Sequence, residues 1–541
     1  MWEREREGED MEGTDDFYLD DEDDDETTAF LGTIESSSRT EADMARDWRE
    51  RREGAGPQTR QTLGVLGVTV LAYFSVSGGP FGIEVGVAAG GPARTLFALV
   101  LFTVISALPS ALMTAELSSA LPGRSGYNGW VERGLSPRLG ALNSWIALLN
   151  GAIDASAYPG VCWDYFLFEL HRWGPLSPAL TSNWTRCLVS MALTLVVFAL
   201  NMAGIRLATR AAFALAVFSL APFVLMGLAC LIQPIQSARS TADVLSASMD
   251  RRAADLPLMM AVCLWSTSGF DSISFVSAEV GDTTRTVPRA LGLAVCSMLV
   301  ATALPILVSC AAVGQQANGF SSWSLGSFAL PAEFFGGKFL GVWVCAAGIA
   351  SSLGLLMAYL LTSALNVQAM AIKGLLPRAL RQERGAEATP AAALLFSTAC
   401  VLVGTGLSFA EQIELNMALY CASLTMEQLA LLRLRWTEPD LRRPFRIPLS
   451  RSCLVLAFIP QLVLCVIIVA YSMRTLKGAA SWALLVAGVF GAPKLRRRVL
   501  GKHAGGDHER DDGSGEGGSS PRPHSQQQQR REKHEQYARW R

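Results

Sequence analysis

Three acidic residues of the chain lie inside long apolar stretches, where a carboxyl group is unfavourable. Glu84, Asp154 and Asp271 each have mainly apolar neighbours along the sequence. Acidic groups in such positions tend to be functional, and pairing with a cation offsets their desolvation. We expect these three carboxyl groups to bind a small cationic ligand. The alternative is a structural acid that is paired or reached by water.

Two short breaks precede two of these acids. Residues 75–82 (SVSGGPFG) come before Glu84, and residues 266–269 (STSG) come before Asp271. Glycine permits non-helical dihedral angles and proline removes a backbone donor, so helical hydrogen bonding should fail at each break. Within a bilayer such backbone is tolerated where it lines a cavity. We therefore include Ser77, Gly78 and Gly79 in the predicted site; the alternative is two packed kinks made by small residues.

Aromatic residues near the breaks could present ring faces to a cation. Trp265 and Phe270 flank the second break, and Tyr158 follows Asp154 by one helical turn. Tyr420 is a further candidate, since its phenol could also relay a proton. Packing is the usual role of aromatic residues in membrane helices and stays open as the alternative for each.

Three other acids are candidates for proton coupling or gating. Glu116 and Glu279 lie near the ends of their apolar segments, close to Arg124 and Arg285 respectively, so a gate or a stabilising ion pair is the preferred interpretation. Glu427 could carry a coupled proton, because burial disfavours the charged form. The alternative for Glu427 is an ion pair with Arg433 or Arg435. The candidates for proton coupling or gating are thus Glu116, Glu279 and Glu427.

The elements that must position these residues are membrane-spanning helices. Of the 541 residues 50% are hydrophobic, the mean hydropathy is +0.29, and the apolar residues form long runs between short basic loops. This pattern is typical of an all-α membrane protein with about twelve transmembrane helices. The predicted spans are near residues 62–89, 93–121, 138–168, 183–203, 210–233, 256–279, 288–314, 338–371, 390–408, 411–434, 452–473 and 477–494.

The loops indicate how this array is oriented. Every second loop is richer in Lys and Arg than the loops between, and this alternation predicts that both termini are cytoplasmic. We divide the chain into a disordered tail at 1–60, a transmembrane domain at 61–494 and a disordered tail at 495–541, whose basic start could contact membrane lipid. The breaks fall in the first and sixth spans. That spacing fits a 5+5 inverted repeat plus two extra helices, a plan that secondary transporters use.

Several motifs resemble the amino acid/polyamine/organocation transporter superfamily, and most closely its polyamine uptake carriers of plants and protists. They include residues 77–84 (SGGPFGIE), 89–92 (AGGP), 114–123 (TAELSSALPG), 265–271 (WSTSGFD) and 439–448 (PDLRRPFRIP). The resemblance covers residues 60 to 475. It implies a leucine-transporter-type fold and transport of polyamines or amino acids, with proton coupling in many members. Val85 and Met357 stand where many polyamine carriers have acidic residues.

The first break also bears on the substrate. Amino-acid carriers usually offer free N–H groups there to the substrate carboxylate, whereas here Pro80 removes one donor and Glu84 adds a negative charge. We predict a proton-coupled polyamine transporter working by alternating access in the plasma membrane. The alternative is an amino-acid transporter of the same fold for cationic or neutral substrates.

A third class, a membrane-embedded enzyme or a sensor that no longer transports, is disfavoured. The sequence has no nucleophile motif, phosphate-binding loop or metal-ligand spacing, and its 11 cysteines form no paired spacing. We expect no catalytic residue, cofactor, metal or nucleic-acid partner. The predicted partners are the substrate, protons and lipid, and no oligomeric state is predicted.

Overall fold

The computed structural model describes residues 64–121, 125–202, 205–232, 237–250, 255–280, 283–313, 319–381 and 390–474. These described residues form helices and connecting loops, without a strand element. The first eight helices are α1 Val65–Val76, α2 Ile83–Gly90, α3 Pro92–Phe102, α4 Leu108–Ala120, α5 Tyr127–Gly134, α6 Pro137–Trp173, α7 Asn183–Met202 and α8 Ile205–Ile232. The remainder are α9 Ser237–Asp250, α10 Leu256–Trp265, α11 Thr283–Val313, α12 Ala329–Ile372, α13 Ala391–Gly404, α14 Phe409–Thr437 and α15 Arg451–Ser472.

The first predicted break is present between α1 and α2. Gly78 and Gly79 have φ angles of 60° and 136°, a region that side-chain-bearing residues rarely adopt. The carbonyl groups freed by this unwinding receive donors from α12. Tyr359 Oη donates to Ser75 O at 2.9 Å, and Ser351 Oγ donates to Gly78 O at 2.7 Å. Side chains of another helix therefore satisfy these two carbonyl groups of the break.

The second predicted break separates α10 from the 3₁₀ segment Phe270–Glu279. Gly269 has a φ angle of 109°, and a Cβ atom built on it would lie 2.6 Å from the carbonyl oxygen of Ser75. Only glycine allows this approach. The two breaks therefore meet backbone to backbone.

Within the described residues, six helices are long and apolar enough to cross a membrane, as expected for an integral multi-pass membrane protein. They are Pro92–Ala120, Asn183–Met202, Phe213–Ile232, Thr283–Ala312, Ala329–Ile372 and Arg451–Ser472. The apolar helices Val65–Val76 and Ala391–Gly404 are shorter. The predicted span at 477–494 and the predicted tails at 1–60 and 495–541 lie outside the described residues.

Three details of the helices differ from the simple span prediction. The short helices α5 and α9 occupy stretches that were expected to be loops. A π-helical turn, Thr103–Ala107, joins α3 to α4 within one predicted span. Helix α12 begins before its predicted span and has non-helical dihedrals at Gly336 and Gly337, so its long straight part starts where the span was expected.

Helix α6 is packed among five other helices. It packs along α12 and α14 and also contacts α5, α7 and α13. Its Pro159 is accommodated within an otherwise continuous helix. Because α6 has neighbours on several sides, the polar residues in its middle are shielded from lipid.

Candidate functional site

Asp154 lies in the middle of α6 and is 3% exposed. Its carboxylate accepts hydrogen bonds from Trp265 Nε1 at 2.8 Å, Asn416 Nδ2 at 2.5 Å and Tyr158 Oη at 3.1 Å. These donors come from α10, α14 and α6. Three donors satisfy much of the acceptor capacity of a carboxylate, so Asp154 joins three helices through bonds it already makes.

Asp271 lies two residues after Gly269 and is 4% exposed. Tyr420 Oη donates to Asp271 Oδ1 at 3.2 Å and accepts from the Gly269 amide at 3.2 Å. The tyrosine of α14 thus bridges the second break and its acid. One described side chain, that of Tyr420, donates to Asp271, whereas three donate to Asp154, so Asp271 is less engaged by neighbouring side chains.

A cavity of about 70 Å³ is lined by both of these acids. Its lining combines carboxyl groups with aromatic rings and neutral polar groups. The lining residues are Tyr127, Ala147, Asn150, Gly151, Asp154, Trp265, Ser268, Gly269, Asp271, Ser272, Phe275, Tyr359, Thr362, Ser363, Asn366, Asn416, Met417 and Tyr420. This described lining contains no Lys, Arg or His, so its chemistry suits a cation with an apolar carbon chain.

Glu84 does not line this cavity. Its side chain is fully buried, accepts from the Gly82 amide at 2.7 Å and from Tyr165 Oη at 2.5 Å, and lies 3.4 Å from the Gly326 amide. The carboxyl group therefore accepts a hydrogen bond from a backbone N–H group at the start of its own helix, α2. The sequence grouped Glu84 with Asp154 and Asp271, whereas the structure places it apart from them.

The other predicted residues of the first break also lie outside the cavity lining. Ser77 Oγ donates to Gly79 O at 2.7 Å and is 3.3 Å from the Gly79 amide nitrogen, so it closes the break locally. The carbonyl oxygen of Gly78 accepts a hydrogen bond from Ser351 Oγ. These residues shape the backbone of the site in this conformation without facing its cavity.

Two predicted aromatic residues are positioned behind the cavity wall. Tyr158 is 3% exposed and supports Asp154, as described above. Phe270 is fully buried in an apolar cluster that includes Tyr73 and Ile273. Of the predicted aromatic set, Trp265 and Tyr420 face the cavity.

Glu116 forms a buried ion-pair cluster with partners that the sequence did not indicate. Arg435 Nε donates to Glu116 Oε1 at 2.7 Å, a second bond joins Arg435 to Glu116, and Arg443 Nε lies 3.3 Å away. The Ile447 amide also donates to Glu116 at 3.0 Å. The expected neighbour Arg124 lies outside the described residues. This cluster ties α4 to α14 and to the loop after it.

Glu427 is fully buried on α14. Ser423 Oγ donates to its Oε1 at 2.9 Å, and its Oε2 has no hydrogen-bond partner among the described residues. The alternative of pairing with arginine is not realised, because Arg435 pairs with Glu116 and Arg433 donates to Leu135 O at 2.8 Å. The side chain of Glu279 lies outside what the structure describes.

The sequence reasoning missed several residues of the cavity. Asn416 donates to Asp154, while Asn150 and Ser363 complete the wall. Polar residues within apolar runs were the available indication. Their spacing does not show which of them face inward, since lipid-facing and protein-facing positions are both apolar in such helices.

Two discontinuous helices meeting beside an acidic, aromatic cavity in a multi-pass helical bundle are features of membrane transport proteins. A family model described as amino acid permease matches residues 63–491, and the chain belongs to this family. Its members are transporters rather than enzymes.

Similar proteins include two plant polyamine transporters. Polyamine transporter PUT1 of Oryza sativa subsp. japonica is 33% identical over 446 residues, covering 82% of this chain and 80% of the relative. Polyamine transporter RMV1 of Arabidopsis thaliana is 32% identical over 434 residues, covering 80% and 85%. Asc-type amino acid transporter 1 of Mus musculus is more distant, 26% identical over 379 residues, covering 68% and 69%.

Proposed function

We propose that this chain is a secondary transporter that moves polyamines such as putrescine and spermidine across a membrane by alternating access. The observation that carries the proposal is the cavity between Asp154 and Asp271, walled by Trp265, Tyr359 and Tyr420. A polyamine offers ammonium groups to the carboxyl groups and methylene groups to the rings. The similarity to curated plant polyamine transporters supports the same substrate class.

The first break supports a substrate without a carboxylate. A carrier of amino acids would hold the substrate carboxylate on free N–H groups there. In this chain the Gly82 amide donates to Glu84, the Gly79 amide lies 3.3 Å from Ser77 Oγ, and Pro80 has no N–H. These donors are already engaged, which disfavours the alternative of an amino-acid transporter.

Asp271 is the proposed ligand of the first ammonium group. It borders the cavity and accepts a side-chain hydrogen bond from Tyr420, whereas Asp154 accepts from three side chains. Asp154 then acts as a positioning residue that orients Trp265. The first break keeps its unwound backbone through Ser77, Gly78 and Gly79. Glu84 occupies an N–H group there that could otherwise bind an anion.

Proton coupling is proposed to act through Glu427. A buried carboxyl oxygen without a partner is stable when the group is neutral, so this residue suits proton binding. Three titratable groups are close enough to interact electrostatically with Glu427. They are Asp271 on the 3₁₀ segment, Tyr127 on α5 and Tyr420 on the same helix as Glu427. A proton on Glu427 would remove one buried negative charge beside Asp271 and leave the carboxyl groups of Asp271 and Asp154 at the cavity. The ion-paired Glu116 suits a gate or a structural tie, and Glu279 stays a gating candidate on sequence grounds.

The proposed architecture is twelve spans in a 5+5 inverted repeat with two extra helices. The breaks before α2 and after α10 occupy corresponding positions in such a repeat, and the twelfth span would be residues 477–494. Both termini are proposed to be cytoplasmic, since the positively charged loops alternate as that orientation requires. The plasma membrane is the proposed location.

The decisive experiment is uptake of radiolabelled putrescine and spermidine by cells that lack their own carrier. Asp271→Asn should abolish saturable uptake, because a neutral amide cannot pair with an ammonium group. Asp255→Asn is the matched control, since Asp255 is an exposed N-cap of α10 and asparagine also caps helices. Uptake of arginine or a neutral amino acid, with polyamines ignored, would establish the alternative instead.

A further inference from the structure

Two oxygen atoms on the α6–α12 wall of the cavity have no hydrogen-bond partner among the described residues. They are Asn150 Oδ1 and Ser363 Oγ, and both residues line the cavity. Ser363 is 7% exposed, so its hydroxyl is shielded from bulk water. A buried acceptor without a partner is unfavourable. Such a pair at a cavity wall calls for a donor that enters the cavity.

The hydroxyl of Ser363 on α12 lies close to the stretch of α6 that contains Asn150. A Cβ atom built on Gly151, the residue after Asn150, would lie 3.9 Å from Ser363 Oγ. The absence of a side chain at Gly151 therefore leaves space in front of the hydroxyl. The space is continuous with the cavity, since all three residues line it.

Neighbouring polar groups on the same wall are already engaged. Thr362 Oγ1 is within 3.1 Å of the carbonyl oxygens of Ala358 and Tyr359, and Asn366 Oδ1 accepts from Asn128 at 3.0 Å. The oxygens of Asn150 and Ser363 are thus distinguished from their neighbours by lacking a partner.

We propose that Asn150 and Ser363 form a second subsite, which accepts hydrogen bonds from the far amino group of a polyamine whose first ammonium group pairs with Asp271. This inference rests on the proposed function and specifies the substrate class as amines with at least two cationic nitrogens. Neutral oxygens accept from an ammonium group without adding another buried charge. Monoamines gain nothing from the subsite, so it selects for diamines and triamines.

The test compares competitors that differ in the number of amino groups. Inhibition of labelled putrescine uptake by unlabelled putrescine, spermidine and n-butylamine is measured for wild type, Asn150→Leu and Ser363→Ala. Each substitution should raise the inhibition constants of putrescine and spermidine about tenfold, the scale of a hydrogen bond to a charged group. The constant for n-butylamine should change less than twofold.

A further variant tests the space rather than the acceptors. Gly151→Ala places a methyl group in ordinary van der Waals contact with Ser363 Oγ, and alanine is favourable in a helix, so the protein should fold. The methyl group covers the hydroxyl and should weaken diamine binding selectively. Gly292→Ala is the control, because nothing lies within 4 Å of a Cβ atom at that helical position.

The outcomes separate the subsite from the proposed function. Equal weakening of mono- and diamines would assign these residues a structural role, and unchanged constants would mean that water alone occupies the oxygens; either result overturns the subsite. Wild-type protein that neither binds nor transports any diamine would overturn the proposed function as well.

Discussion

Gly269 lies against the carbonyl oxygen of Ser75, and this contact joins the two helix breaks. A Cβ atom at Gly269 would be 2.6 Å from that oxygen, closer than nonbonded atoms allow. The same carbonyl oxygen accepts from Tyr359 at 2.9 Å. The two discontinuous helices therefore form one unit with α12 at the level of the cavity.

Alanine at position 269 should disrupt this unit. The φ angle of 109° adds about 1–3 kcal/mol of strain to the steric conflict, so Gly269→Ala should lose transport and thermal stability. Gly337→Ala is the matched control, because Gly337 also has a positive φ angle, +65°, but nothing within 4 Å of its Cβ position. Size-exclusion profiles after heating measure stability. A Gly269→Ala protein no worse than Gly337→Ala would contradict the importance of the contact.

Substitution of Glu427 should change how uptake depends on pH. Glutamine imitates the protonated carboxyl group, so Glu427→Gln should keep substrate binding but lose the acceleration of uptake that acidic external pH gives a proton-coupled carrier. Initial rates between about pH 5.5 and 7.5 report the difference. Glu414→Gln, a half-buried acid on the same helix, should keep the wild-type profile. A Glu427→Gln profile parallel to wild type would exclude this residue as the proton site.

Removal of the Glu84 carboxyl group should admit anions to the first break. In Glu84→Ala the Gly82 amide loses its acceptor and becomes available to a carboxylate. Arginine should then inhibit putrescine uptake about tenfold better, the scale of a charged hydrogen bond, while agmatine, which is arginine without its carboxylate, should be unaffected. Tyr165→Phe retains the carboxyl group and should leave arginine excluded. Equal effects on arginine and agmatine would show that Glu84 does not act on the carboxylate.

The buried cluster around Glu116 should be sensitive to the loss of one partner. Glu116→Gln leaves the guanidinium of Arg435, which is 1% exposed, without its counter-charge, at a cost of about 3–5 kcal/mol. Folded protein recovered after detergent extraction should fall. The double variant Glu116→Leu with Arg435→Met should recover part of it, because the buried charge of Arg435 is removed and only Arg443 has lost its contact with Glu116. Failure of the double variant to improve on the single one would assign the loss to packing.

Local sequence chemistry was sufficient to predict both breaks and part of the site. Glycine and proline mark the breaks whatever their surroundings, and Asp154, Trp265, Asp271 and Tyr420 face one cavity as a cation site requires. Glu84 was grouped with them because it is a carboxyl group inside an apolar stretch that contains a break. This grouping did not anticipate that a carboxyl group there can cap its own helix.

Contacts between distant parts of the chain were beyond the sequence. Glu116 pairs with Arg435, 319 positions away, although nearer arginines are available in the sequence. Helices such as α1 carry apolar residues on all faces, so the sequence pattern does not show which face turns inward. The roles of Asn150 and Ser363 depend on that rotation and on the meeting of α6 with α12, which a single sequence does not specify.

The bond between Glu84 and the Gly82 amide also bears on how carriers of this fold diverge. On the proposed function, a resident carboxyl group at the first break takes the place that a substrate carboxylate would occupy, which disfavours zwitterions. The cavity itself needs no remodelling for this discrimination. A single side chain on α2 can therefore separate carriers of purely cationic metabolites from carriers of amino acids during evolution.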